Sequence, residues 1–415
     1  MAAARVLFIS GSIGLGHVVR DLAIAQALRE EIPGVEIVWL AGEPALQVLQ
    51  QAGAAILPEA DAYADLTHDA ERSAHGHEMN VLQYALHSQQ AWARNVRLFD
   101  QIMQHYTFDL VIGDETYEIQ TALNDKTIPK RSPFVILYDF VGLDAMTHNP
   151  LEWIGVYVWN RLWAKDYWAP ALAEDLSIFI GELADVPDKR LGPGLPNRRD
   201  LVCKLYQCVG YVLPFDPATL AGQAELRARL GYDERPLVLC AVGGTSIGRE
   251  LLTLCAAAYP LARRQLPELQ LVLVCGPRID PASIQAPPGV TVRGYVPALY
   301  EHFAACDLAI VQGGGTTTLE LTALRRPFLY FPLTGHSEQQ LHVAPRLARH
   351  GAGIKLDFRR TTAADLAMQI VSHIGEPVTY PPIPTDGAAR AAQLIAALLA
   401  QGHPVSDQDL HQVNR

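Results

Sequence analysis

The sequence predicts an α/β protein built from two doubly wound, Rossmann-like domains facing each other across a cleft. Three observations carry this reading. A strand, a glycine turn and a helix open the chain at "VLFISGSIGLGHVVRDLAIAQALRE", Val6 to Glu30, and the same order restarts at "PLVLCAVGGTSIG". Apolar runs between and after these segments end in aspartate or glycine, as buried parallel strands do at a functional rim. A length of 415 residues is enough for two separate cores.

In the opening segment, Val18, Leu22, Ala25, Leu28 and Ile32 fall three or four apart and predict one buried helical stripe. Pro33-Gly34 stops the helix, and "VEIVWL" (Val35 to Leu40) is the next strand. The intervening loop, with Gly14 and Gly16, then lies at the carboxyl end of a strand, where open α/β sheets bind ligands. His17 sits in the first helical turn, where the helix dipole disfavours imidazolium by about 0.3–1 kcal/mol and favours a neutral base. A surface histidine beside a tight turn is the plain alternative.

"FDLVIGD" and "PFVILYDF" read as further strands, ending near Asp114 and Asp139. Residues 57–80 turn polar and histidine-rich, and residues 181–200 are rich in proline, glycine and charge, so both read as loops. "VGYVLPFDP" (Val209 to Pro217) reads as a linker. After it come strand "PLVLCAV", turn "GGTSIG", a helix from Arg249, strands "LQLVLVCG" and "VTVRGYV", another helix and strand "DLAIVQ". The first domain is thus assigned to residues 1–208, the second to 209–400, and a loose tail to 401–415. "GAARAAQLIAALLA" (Gly387 to Ala400) is the expected final helix, placed to pack back across the cleft.

Hydrophobic residues make up 49% and charged residues 19%, an ordinary globular composition. The formal net charge of −11 argues against nucleic acid as a bulk partner. No apolar run approaches the roughly 18 residues of a membrane span, and "VLFI" is too short for a signal-peptide core. A cytoplasmic location with six reduced cysteines is therefore expected.

The most informative segment runs from Asp307 to Gly353. A strand turns through Gly313, Gly314 and Gly315 and enters a helix at about Thr316, so free amides and the threonine hydroxyls can hold phosphate oxygens. Glu320 on that helix suits the two hydroxyls of a ribose. Thr317-x-x-Glu320 is equally a capping box. "RRPFLYFPL" is the next strand, and Glu338, Gln339 and Gln340 enter a following helix with donors and acceptors fit for sugar hydroxyls.

This arrangement resembles the two-domain, GT-B type nucleotide-sugar glycosyltransferases. It is most similar to the branch that holds the bacterial N-acetylglucosaminyltransferases of lipid-linked peptidoglycan precursors and the natural-product glycosyltransferases. The resemblance is strong over residues 290–353, moderate at the first loop, and absent over 144–197. It implies that Gly243, Gly244, Thr245 and Ser246 approach the donor diphosphate, and that Tyr295 and Val296 hold the uracil through the backbone. It further implies that Gly314, Gly315, Thr316 and Thr317 form the phosphate turn and Glu320 the ribose acid. Gln339 and Gln340 would read the sugar, and His17 would be the base. Two departures stand out: Gln312 replaces a histidine common before the turn, and Glu338 replaces an aspartate.

The activity so implied is inverting transfer of a sugar from a nucleoside-diphosphate donor, with UDP the expected carrier, to a hydroxyl of a small-molecule or lipid-linked acceptor. Asp114 is the candidate to orient His17, a plain capping aspartate being the alternative, and Asp139 is its substitute. No cofactor is expected and no metal, since no D-x-D triplet lies within either domain. His68, His75 and His77 with Glu71 and Glu78 match no regular ligand spacing and read as a solvated acceptor-side loop. In "LEWIGVYVWNRLWAKDYW", Trp153, Tyr157, Trp163 and Tyr167 share a helical face. It reads first as core, then as an acceptor wall, and least as a membrane-surface patch, so peripheral membrane contact is weakly supported. A nucleotide-sugar hydrolase of the same fold and a non-catalytic nucleotide-sugar-binding protein or subunit are the alternatives.

Overall fold

The computed structural model of the chain describes residues 3–401 apart from residues 12, 77, 80 and 169–172. The tail expected to be loose lies, beyond residue 401, outside the described residues.

The first sheet takes its strands in the order β3-β2-β1-β6-β7-β8-β9, every pairing parallel. These are β1 (Arg5–Ser10), β2 (Glu36–Ala41), β3 (Ala55–Ile56), β6 (Leu110–Asp114), β7 (Phe134–Tyr138), β8 (Leu176–Ile180) and β9 (Gln207–Gly210). Two short antiparallel strands, β4 (Ala74–His75) and β5 (Glu78–Met79), stand outside it. The reversal of order between β1 and β6 is the switch point at which ligands bind in such sheets. Phe8 and Trp39, opposite each other in the β1–β2 register, stack at 4.6 Å in a fully buried position. A pair of this kind adds about 0.5–1.5 kcal/mol beyond its area burial.

The second sheet runs β12-β11-β10-β13-β14-β15, again all parallel. Its strands are β10 (Leu237–Ala241), β11 (Gln270–Val274), β12 (Val290–Arg293), β13 (Leu308–Gln312), β14 (Phe328–Phe331) and β15 (Ile354–Lys355). Each sheet has a hydrophobic cluster on both faces, so the strands read as continuous apolar runs.

The first helix is Gly16–Glu31, and Val18, Ala25 and Leu28 of the expected stripe are fully buried. Leu22 and Ile32 are only half-buried, whereas Arg20 and Asp21, polar residues outside the stripe, are buried. The boundary between domains also moves. β9 pairs with β8 through Gly210, so the "linker" begins inside the first sheet. The final helix, Gly387–Ala400, returns to the first domain: Ala391, Ala392 and Ile395 share a core with Val6, Phe8 and Val18. A Cβ on Gly387 would lie 2.5 Å from the carbonyl oxygen of Tyr211, which leaves only glycine at that crossing.

The helix Pro150–Trp163 corrects the core reading of its aromatic face. Trp153 and Tyr157 are exposed, while Trp163 donates from Nε1 to the Tyr206 hydroxyl and packs on the core. Trp153 donates instead to the Thr147 carbonyl.

Candidate active site

Register places the first cluster. β1 and β6 pair with Ser10 opposite Asp114, so the loop after β1 and the end of β6 emerge together. His17 Nδ1 then lies 2.9 Å from Asp114 Oδ2. Arg20, one turn further along the helix, donates from Nη2 to both oxygens of Asp114 at 2.7 and 2.8 Å. From Nη1 it donates to Asp139 Oδ2 at 3.0 Å. His17 Nε2 faces Asp139 Oδ2 at 3.8 Å and Glu115 Oε2 at 3.9 Å. Asp114 thus meets the Nδ1 edge of the ring, and Asp139 lies toward the Nε2 edge.

The electrostatics differ from the expectation of a ring kept neutral by the helix dipole. Burial pulls the His17 pKa down, but the charge and hydrogen bond of Asp114, with Asp139 behind, more than offset burial and the repulsion of Arg20. The net effect holds His17 above its ordinary value of 6.5. Burial tends to raise Asp114, yet Arg20 and His17 bring it below the usual carboxylate range. Glu115 goes the other way, pushed well up by burial first and then by the charge of Asp139. Glu115 also adopts φ 51°, a left-handed conformation that is costly for a side chain with a Cβ and that clusters at functional sites.

The second domain meets this cluster at the first glycine loop. A Cβ on Gly16 would lie 2.7 Å from Thr316 Oγ1, and one on Gly244 would lie 2.5 Å from the Leu15 amide nitrogen. A Cβ on Gly14 would lie 3.6 Å from Thr245 Cγ2, in ordinary van der Waals contact. Both glycine turns of the second domain, after β10 and after β13, therefore abut the turn that carries His17.

The helix after β13 starts at Gly315 with Gly314 as its cap residue, so Thr317 is already inside the helix and the capping-box alternative is not realised. Glu320 is buried, and burial pushes its carboxyl up to about 8. Gln312, at the end of β13, donates to the Ile247 carbonyl at 2.9 Å and ties the two turns together. Gln339 Oε1 accepts from the Leu333 amide at 2.8 Å. Gln340 donates to the Leu333 carbonyl at 3.1 Å and accepts from Lys355 Nζ at 2.9 Å. Both glutamines thus hold the loop after β14, an engagement that the expectation of sugar-reading amides did not include.

Glu338 is brought to the His17 cluster. With Arg20, Asp139, Thr316, His342 and Arg346 it lines one cavity between the domains. Burial, then Asp139, raises its carboxyl to about 7. Trp153 and Tyr157 do not line that cavity. Tyr295 packs against the first domain's core and Val296 against the second's, both half-buried.

The segment read as a solvated acceptor-side loop is instead a contact between domains. Glu71 accepts from the Ser246 amide at 2.6 Å and from Arg278 at 2.9 Å, and Glu78 pairs with Arg359. Residue 77 lies outside the described residues. Among the described residues, His17, Glu115 and Asp139 are a group whose ligand-type atoms lie within 4.8 Å of one another. One D-x-D triplet does occur, Asp407-Gln408-Asp409, in the tail outside the described residues, so the sequence argument against a metal covers only the two domains.

Arg20, Glu115, Arg278 and Arg346 were missed by sequence reasoning. Only Arg20 carried a local signal, its i, i+3 spacing from His17.

Residues 238–394 match the family model described as the glycosyltransferase family 28 C-terminal domain. UDP-N-acetylglucosamine–N-acetylmuramyl-(pentapeptide) pyrophosphoryl-undecaprenol N-acetylglucosamine transferase of Mycolicibacterium smegmatis is 34% identical over 208 residues, 49% of each chain. The chain spans about half the length of the curated relatives it matches. Among solved structures, the glycotransferase of kitacinnamycin aligns over 99% of both chains with a TM-score of 0.57 and 15% identity. A glycosyltransferase from Streptomyces nogalater aligns over 95% of this chain and 99% of its own, with a TM-score of 0.56 and 20% identity. The fold is accordingly that of the two-domain GT-B glycosyltransferases.

Proposed function

We propose that the chain is an inverting glycosyltransferase that moves a sugar from a UDP-type donor to an acceptor hydroxyl without a metal. The observation that supports this most is the contact of the His17–Asp114 pair's turn with the phosphate-type turn at Thr316. A base and an anion cradle thereby share one cleft.

In this reading the donor diphosphate rests on the amides and hydroxyls of Thr245, Ser246, Thr316 and Thr317, approached closely by Gly243, Gly244, Gly314 and Gly315. These groups stabilise the charge that grows on the leaving phosphate. Glu320 takes the ribose hydroxyls, and the backbone at Tyr295 and Val296 takes the base. Glu338, Gln339 and Gln340 meet the sugar once the donor competes with the loop contacts they make. On the opposite side, Asp114 and Arg20 hold the Nδ1 edge of His17, and Nε2 accepts the proton of the attacking hydroxyl. Arg20 fixes both aspartates, so the imidazole has one orientation. The acceptor enters from the first domain's side of the cavity.

The test is His17→Ala. Transfer should fall by about 10²–10⁴, with donor affinity within about twofold of the parent, measured by calorimetry against UDP-sugars. Loss of transfer and donor binding together would mean that His17 is structural. Free sugar appearing at full rate without any acceptor would replace transfer with hydrolysis.

A further inference from the structure

Three carboxylates in a short segment of the first domain, Asp65, Glu71 and Glu78, contact the second domain. The helix Leu66–Arg72 is capped at one end by Asp65, which accepts from the His68 amide at 2.9 Å, and carries Glu71 near the other end. Arg278, in the loop after β11, donates from Nε and Nη2 to the two oxygens of Glu71, each at 2.9 Å, and from Nη1 to Asp65 at 2.9 Å. Glu71 Oε1 also accepts from the Ser246 amide at 2.6 Å. Further along the same segment, Glu78 pairs with Arg359 and forms a bridge with Thr334.

The Ser246 amide belongs to the glycine turn between β10 and the helix Arg249–Ala262. A backbone amide and a forked guanidinium converging on two oxygens is the geometry by which proteins hold a phosphate as well as a carboxylate. Glu71 is thus an anion from the chain itself, seated on the turn assigned to the donor. Arg278 and Glu71 are mostly buried, so the pair is screened less than a surface ion pair. Both partners favour its charged form: burial opposes the Glu71 carboxylate, but Arg278 and Ser246 bring its pKa below the ordinary value.

We propose that Arg278 and the Ser246 amide form a binding pair for the donor's diphosphate, and that Glu71 occupies it until the donor arrives. This rests on the nucleotide-sugar reading above. Donor binding then exchanges one anion for another: a phosphate oxygen takes the Ser246 amide and the Nε/Nη2 edge of Arg278, while Asp65 keeps Nη1. The Glu78 contacts remain, so the segment stays over the cleft while Glu71 swings out. No bond is made or broken in this step. Glu71 thereby sets a threshold that a nucleoside diphosphate passes and an uncharged nucleoside does not.

The experiment is calorimetric titration of the full chain with UDP and, separately, with uridine, at low and high salt. Glu71→Gln, which keeps shape and removes charge, should bind UDP about tenfold more tightly, with uridine affinity changed less than about twofold. Arg278→Gln should bind UDP about tenfold more weakly, again with uridine nearly unchanged. Thermal melting confirms that each variant is folded, and Glu71→Asp serves as a second, conservative variant with an intermediate gain. If the parent binds UDP but Glu71→Gln binds it equally or more weakly, the exchange is refuted and the nucleotide-sugar reading survives. The same holds if UDP and uridine shift together, which would make Glu71 a closure contact only. If the parent binds neither UDP nor uridine, both readings fall.

Discussion

His17 and Asp114, 97 residues apart in the chain, meet at 2.9 Å because β1 and β6 are paired with Ser10 opposite Asp114. A one-residue slip in that pairing would turn Asp114 to the other face of the sheet and dissolve the pair. The sign of the electrostatics follows from it. His17 is held above 6.5, so it is protonated, and inactive as a base, below its raised pKa and becomes competent only as pH rises through it. The acid limb of kcat/KM should therefore inflect above 6.5. In Asp114→Asn the largest raising influence is gone and burial dominates, so the inflection should move below that of the parent while kcat falls by about 10²–10⁴. Initial rates across pH 5–9 check both. An unmoved inflection would place the titrating group elsewhere.

Gly313 tests the geometry of the turn after β13 through stability. A Cβ there would lie 2.8 Å from Pro332 Cα, a backbone atom that cannot step aside as a flexible side-chain end does. Gly313→Ala should destabilise the chain by about 1–3 kcal/mol, measured by denaturant unfolding. Gly314, with no atom within 4 Å of its built Cβ, is the control and should lose little stability as Gly314→Ala.

Much of the fold was legible because its signals are local. Short apolar runs closed by glycine or aspartate located β1, β2, β6, β7 and the first four strands of the second sheet, and the final helix falls on Gly387–Ala400 as read. β8 and β9 were not: "LSIFI" and "QCVG" are short runs that flank residues 181–200, where proline, glycine and charge dominate. Of the candidate site, the meeting of His17 with Asp114 and the convergence of the glycine turns were legible. It was not legible where one residue's role is set by another far along the chain. Arg20 reads as a solvated cation until Asp139, 119 residues away, is brought to it. Glu71 reads as loop charge until Arg278 arrives from 207 residues on. The loop contacts of Gln339 and Gln340 were not legible either, although the backbone groups they engage lie only six and seven residues away.

The ribose contact proposed for Glu320 predicts donor binding that depends on protons. Burial holds its carboxyl at about 8, so it is mostly protonated at pH 7. Ribose hydroxyls donating to it favour the carboxylate, so binding should release up to one proton. UDP affinity should rise as pH goes from 7 to 8.5, and calorimetry in buffers of different ionisation enthalpy should detect the proton. In Glu320→Gln both effects should vanish, with UDP bound at least about tenfold more weakly through loss of a charged hydrogen-bond partner.

Metal removal is a separate check on the His17, Glu115 and Asp139 group. Arg20 already supplies a positive charge to Asp139 at 3.0 Å, and the leaving phosphate is assigned to amides and hydroxyls. Dialysis against a chelator should leave kcat within about twofold of the parent, and added magnesium or manganese should not raise it. A large loss, recovered on adding one cation, would assign the group to a metal.

The most direct measurement is a crystal structure of the chain with UDP bound. The diphosphate should lie on the turns at Ser246 and Thr316, with the ribose on Glu320 and the His17 imidazole across the gap from the β-phosphate. UDP found outside the cleft, or His17 on the same side as the phosphates with no room for an acceptor between, would contradict the account.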